Sequence, residues 1–118
     1  MKILIVDDNQ EIRKILTETF TLLGCKIDAV KDGLEAVETL ENSYYDIVIT
    51  DGEMPRMKGI ELTKYVKERY PRILVIGLSG SPLREKFKFA GADFYFDKPI
   101  DLSSLYAVIK AVRDTPSI

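Results

Sequence analysis

The sequence predicts an α/β fold, a doubly wound five-stranded parallel sheet with helices on both faces. Three observations lead there. Short apolar, β-branched runs such as Ile3-Leu4-Ile5-Val6 lack the polar alternation of a half-exposed strand, so both of their faces are covered. Segments of helical period separate these runs from end to end, which is the order of a sheet built by crossovers. The chain has 118 residues, half of what a closed eight-fold barrel needs, which leaves the open sheet.

The first strand is Ile3–Val6. A helix follows, with Ile12, Ile15, Leu16, Thr19, Phe20 and Leu23 at helical spacing and Gly24 as its C-terminal stop. Lys26–Val30 reads as a weaker strand, and Ala36, Val37 and Leu40 mark a short helix. Asp46–Thr50 is the third strand. Gly59, Leu62, Thr63 and Val66 give the third helix, with Pro71 beyond its end. Ile73–Leu78 is the fourth strand, and Ser81-Pro82 is read as the N-cap and first residue of the fourth helix, with Leu83, Phe87 and Ala90 on one face. Phe94–Phe96 is the fifth strand. Asp101 caps a last helix that carries Leu102, Leu105, Tyr106, Ile109 and Val112 inward.

One domain accounts for residues 1–118, with 114–118 read as a frayed tail. Seventeen basic residues oppose nineteen acidic ones, so bulk charge gives no sign of nucleic-acid binding. No segment has the length of a signal peptide or membrane span and no helix has a strongly basic face; a cytoplasmic location away from membranes is expected. Cys25, the one cysteine, reads as a small core residue. The complete absence of histidine excludes Ser/His and Cys/His nucleophilic pairs and a His-ligated zinc.

In open parallel sheets, chemistry gathers beyond the carboxyl ends of the strands. Here those ends carry Asp7-Asp8, Asp51, Ser79-Gly80 and Asp97-Lys98-Pro99. With the first and third strands adjacent, three carboxylates crowd one rim. At an effective dielectric of about 20, each pair at 4 Å repels by ~4 kcal/mol, so a cation is called for. An all-oxygen donor set with few carboxylates suits Mg²⁺. Lys98 and Ser79 offer a compact charge and a hydroxyl to a phosphoryl group, and Asp51, central on the rim, is the natural carboxylate nucleophile. Taken singly, each residue has a plainer reading: Asp7 or Asp8 as a helix cap, Asp51 and Ser79 as turn residues, Lys98 as a surface lysine. Their coincidence at four strand ends is what those readings leave unexplained.

Asp7-Asp8, Asp51-Gly-Glu-Met-Pro55, Gly59, Ser79, Gly91-Ala92-Asp93 and Lys98-Pro99 together resemble the receiver domain of two-component response regulators, in its stand-alone form, over about residues 2–113. The resemblance implies the flavodoxin-like strand order 2-1-3-4-5. It implies that Asp51 accepts a phosphoryl group from a phosphohistidine on a sensor histidine kinase or histidine phosphotransfer protein. Asp8 would ligate Mg²⁺ directly and Asp7 through water, and Glu53 would give the metal its backbone carbonyl. Lys98 and Ser79 would contact the phosphoryl group. Ser79 and Tyr95 would form the switch that alters binding of a downstream protein target, and the Lys98-Pro99 bond would be cis. The stretch from Ser79 to Gly91 is about three residues short of the family's usual length, near one helical turn, so a stunted fourth helix is expected.

Other functions fit parts of the pattern. A Mg²⁺-dependent phosphohydrolase with an aspartyl nucleophile would use similar rim chemistry. It would show Asp-x-Asp at the nucleophile, whereas Asp51 is followed by Gly52 and Glu53. A binding module that is never phosphorylated would lack Asp51 or Lys98. A phosphorelay intermediate, passing its phosphoryl group to a histidine protein, shares every feature of the leading reading.

Overall fold

The computed structural model describes residues 1–80 and 82–115. Strands and helices alternate: β1 (Lys2–Val6), α1 (Gln10–Leu22), β2 (Lys26–Val30), α2 (Gly33–Asn42), β3 (Ile47–Asp51), α3 (Gly59–Arg69), β4 (Leu74–Ser79), α4 (Arg84–Ala90), β5 (Phe94–Asp97) and α5 (Leu102–Asp114). The strands pair in parallel in the order β2-β1-β3-β4-β5. This is the doubly wound arrangement the sequence predicts.

The central strands are apolar on both faces because each face meets a helical layer. Ile3, Ile5, Ile47, Ile49, Ile76 and Leu78 point to one side, where Leu16 and Phe20 of α1 and Leu105 and Ile109 of α5 cover them. Leu4, Val6, Val48 and Val75 point to the other, beneath Ala36 and Leu40 of α2 and Leu62 and Val66 of α3. Cys25 is buried in the first of these clusters, as expected.

Helix ends explain where the elements stop. The Asn9 side chain caps α1 by accepting from the Glu11 and Ile12 amides. Neither Asp7 nor Asp8 serves as that cap. Gly24, at φ 91°, ends α1: its N–H donates to Thr21 O and the Cys25 N–H to Phe20 O, a Schellman closure that a left-handed glycine permits. Asp101 caps α5 through the Ser103 and Ser104 amides, as read from the sequence.

Some expectations are corrected. The fourth helix begins at Arg84, after Leu83, so Pro82 lies ahead of it; Ser81 lies outside the described residues. At seven residues α4 is short, as its sequence spacing implied. Its hold on the sheet is Phe87, which fills the space beside Gly77, where a β-carbon would sit 2.6 Å from the ring. Leu102 and Tyr106, read as inward-facing, and Ile15, at helical spacing in α1, are partly solvent-exposed. α5 runs through Asp114 with Thr115 as its C-cap; residues 116–118, most of the tail read from the sequence, lie outside the described residues.

Candidate functional site

Strand register brings the acidic residues together. Val6 pairs with Thr50, so the next residues, Asp7 and Asp51, stand side by side at the ends of their strands. Carboxylate oxygens of Asp7, Asp8 and Asp51 all lie within 4.8 Å of one another. Asp7 and Asp51 are buried, and Asp8 faces solvent. The opposite edge of the site comes from β5, where the Lys98 N–H donates to Ser79 O at 2.8 Å and the Lys98–Pro99 bond is cis. The Lys98 ammonium bridges two of the carboxylates, 3.1 Å from Asp51 Oδ1 and 3.2 Å from Asp7 Oδ2.

The backbone holds these groups tightly. Asp7 Oδ1 accepts from the Asn9 N–H at 2.9 Å, and the Asp7 carbonyl accepts from Arg13 Nη1 at 2.7 Å. Gly59 packs directly on the peptide of the central carboxylate. A β-carbon there would stand 2.1 Å from Asp51 O, a position only glycine tolerates. The Glu53 amide donates to the Asp51 carboxylate, while the Glu53 side chain is exposed. Ser79 is fully buried at the end of β4. Tyr95 is half-buried, its ring 5.5 Å from that of Phe87 and 4.8 Å from the Arg84 guanidinium. Its hydroxyl lies 3.5 Å from the Ser79 carbonyl, at the limit of hydrogen bonding.

The electrostatics favour a bound cation. Burial pushes the Asp51 carboxyl up, the Asp7 charge pushes it further, and Lys98 only partly offsets them. Burial works against the Lys98 ammonium, but Asp51 and Asp7 outweigh it and raise its pKa above the ordinary lysine range. Three carboxylates against one ammonium leave the cluster at −2 when all are ionised. Oxygen donors, that residual charge and one solvent-facing ligand fit a hard divalent ion.

All seven residues singled out from the sequence lie on this rim or on the strand end beside it. Asp7, Asp8, Asp51 and Lys98 converge directly, with Ser79, Glu53 and Tyr95 beside them. Sequence reasoning missed three residues in and near the site. Asn9 caps α1 and also engages Asp7; its place before a helical run was a usable signal. Asp32 and Arg56 pair at 2.7 Å across two neighbouring loops, and nothing in their spacing announces the contact.

Comparison with known proteins agrees with this geometry. A family model described as the response regulator receiver domain matches residues 3–110. The chain is 34% identical over 108 residues to the sensor protein EvgS of Escherichia coli strain K12, covering 89% of this chain and 9% of that protein. It is 30% identical over 115 residues to the response regulator MprA of Mycobacterium sp. strain KMS, covering 95% of this chain and 50% of that one. The chain thus spans half or less of these curated relatives. Among solved structures, the chemotaxis response regulator CheY4 of Vibrio cholerae superposes with a TM-score of 0.87 at 28% identity, covering 94% of this chain and 97% of CheY4. TrrA of Thermotoga maritima, crystallised in complex with Mg²⁺–BeF, gives 0.86 at 31% identity, with the same two coverages of 94% and 97%. Sheet order, rim chemistry and these matches lead to one assignment: the chain belongs to the response regulator receiver domain family.

Proposed function

We propose that this receiver accepts a phosphoryl group on Asp51 and uses it to change what the domain binds, as a module of two-component signal transduction. The observation that carries the reading is the Lys98 ammonium held between Asp51 and Asp7, 3.1 and 3.2 Å away, on a cluster of three carboxylates. In the step, an Asp51 carboxylate oxygen attacks phosphorus, the P–N bond of a donor phosphohistidine breaks, and the imidazole leaves with the electron pair. The product is an acyl-phosphate. Because this sequence contains no histidine, the donor, a sensor histidine kinase or histidine phosphotransfer protein, is a different chain or a part of the protein beyond this sequence.

Asp8 and Asp51 would hold Mg²⁺ directly with the Glu53 backbone carbonyl, and Asp7 would act through water. Bound there, Mg²⁺ supplies a positive charge that screens the incoming phosphoryl oxygens from the carboxylates. Lys98 binds a second phosphoryl oxygen through its ammonium, and the Ser79 hydroxyl donates to a third. The same groups promote later hydrolysis: water attacks phosphorus, the acyl oxygen leaves, and Asp51 returns to its carboxylate. The chain thus promotes its own phosphorylation and dephosphorylation and turns over no external substrate. Once Ser79 engages phosphate, Tyr95 reorients, which biases the α4-β5-α5 surface toward a downstream protein target. A cytoplasmic location fits these partners, and no helix among the described residues is long and apolar enough to cross a membrane.

The test is incubation with a small acyl-phosphate donor and Mg²⁺, followed by intact-mass analysis. The expected result is a Mg²⁺-dependent phosphate adduct on the wild type that is absent from Asp51→Asn. An equal adduct on both proteins moves the acceptor elsewhere.

A further inference from the structure

The proposed mechanism leaves a charged pair next to the site without a role, the buried Asp32 and the half-exposed Arg56. Asp32, whose side chain is only 4% exposed, accepts from Arg56 Nε at 2.9 Å and Nη2 at 2.7 Å, both on Oδ2. Its Oδ1 accepts from the Glu35 N–H at 3.0 Å and caps α2. One carboxylate therefore starts a helix and also grips the loop that follows the phosphoacceptor strand. A cap needs only one of its oxygens, so α2 alone does not account for Arg56.

Arg56 is held in an unusual way. Its φ is 69°, the left-handed region that non-glycine residues seldom adopt, and the Met57 N–H closes a tight turn onto Pro55 O at 2.8 Å. Next to it, Met57 packs against Gly33 at the start of α2. A β-carbon on Gly33 would stand 2.6 Å from Met57 Cβ. The dipeptide Asp32-Gly33 thus supplies a charge for Arg56 and space for Met57.

These contacts link the two strands that carry the acidic cluster along one side of it. At the loop's base the Gly59 N–H donates to Gly52 O at 3.3 Å, and at its tip Arg56 binds Asp32. The strand leading to Asp32 is tied to the cluster by the Asp7 N–H, which donates to Val30 O at 3.1 Å. Glu53 lies between base and tip. The carboxylates supplied by β1 and the carbonyl supplied by the β3–α3 loop are therefore joined by protein on the side away from Lys98.

We propose that Asp32 and Arg56 are positioning residues for the phosphoacceptor site: their ion pair fixes the β3–α3 loop so that the Glu53 carbonyl stays on the acidic cluster. This rests on the reading above, in which that carbonyl ligates Mg²⁺. Groups that orient metal ligands from behind typically alter metal affinity by tenfold or more when removed.

The experiment is calorimetric titration of the metal-free protein with MgCl₂, at a temperature where circular dichroism shows every variant folded. The variants are Asp32→Asn, which keeps an α2 cap, Arg56→Gln, their double mutant and Arg56→Lys. The expected result is about a tenfold loss of Mg²⁺ affinity in each neutralising single variant and no further loss in the double. Arg56→Lys, which keeps a cation on Asp32, binds more tightly than Arg56→Gln. Wild-type affinity in both single variants, even with lowered stability, makes the pair merely structural and overturns the proposal. So do single losses that multiply in the double. A wild type that takes up no Mg²⁺ overturns the phosphoacceptor reading and this proposal with it, which separates the two failures.

Discussion

At the scale of single residues, position two after the acceptor adds a further carboxylate beside the acidic cluster. Glu53 gives its amide to Asp51 and points its carboxylate to solvent. A unit charge about 4 Å away in water-like surroundings is worth about 1 kcal/mol, or about fivefold in a rate. Glu53→Ala and Glu53→Asn are therefore expected to change the phosphoryl lifetime by about that factor, read as loss of the mass adduct with time. Identical lifetimes would dismiss any influence of the side chain. The rim residues were legible from sequence because a parallel strand fixes where its last residue goes. Asp7, Asp51, Ser79 and Lys98 needed only the strand ends to be found. Arg56 was not legible, since its partner depends on how two loops fold toward each other.

Elements show what helix ends and packing contribute. Burial pushes the Asp32 carboxyl up, but the Glu35 amide and the Arg56 guanidinium overcome it and hold the pKa below its ordinary value. A carboxyl lowered on folding stabilises the protein fully above its unfolded pKa of about 3.9, and that stabilisation fades as pH falls through and below this value. The denaturation midpoint of the metal-free wild type should therefore fall more steeply from about pH 6 to pH 3 than that of Asp32→Asn; parallel curves would contradict this. The short α4 depends on a different contact, Phe87 against Gly77. Gly77→Ala is expected to cost about 1–3 kcal/mol by overpacking, measured by urea denaturation, and to displace Phe87 against Tyr95. The stunting of α4 was visible in its residue count. Its start was not, because Leu83 precedes it without a side-chain cap and Ser-Pro offered a stronger but misleading signal.

For the molecule as a whole, alternation of strands and helices predicted the layers, while the order in which the strands pair came only through the family resemblance. Periodicity says which faces are apolar and not which strand lies beside which. The order matters because it puts β1 next to β3 and so makes the acidic cluster. The same layering seals Cys25 beneath α1 and α5, where burial pushes its thiol above the usual range and disfavours the reactive thiolate. As the chain's sole sulfhydryl, it is a built-in clock. Alkylation in native buffer should proceed only as fast as that flank opens, accelerate with denaturant in step with unfolding, and slow when Mg²⁺ steadies the far rim. Rapid modification of the untreated protein would mean instead that the helical cover lifts routinely, and that a signal written at one end of the sheet could be felt at the other through such breathing.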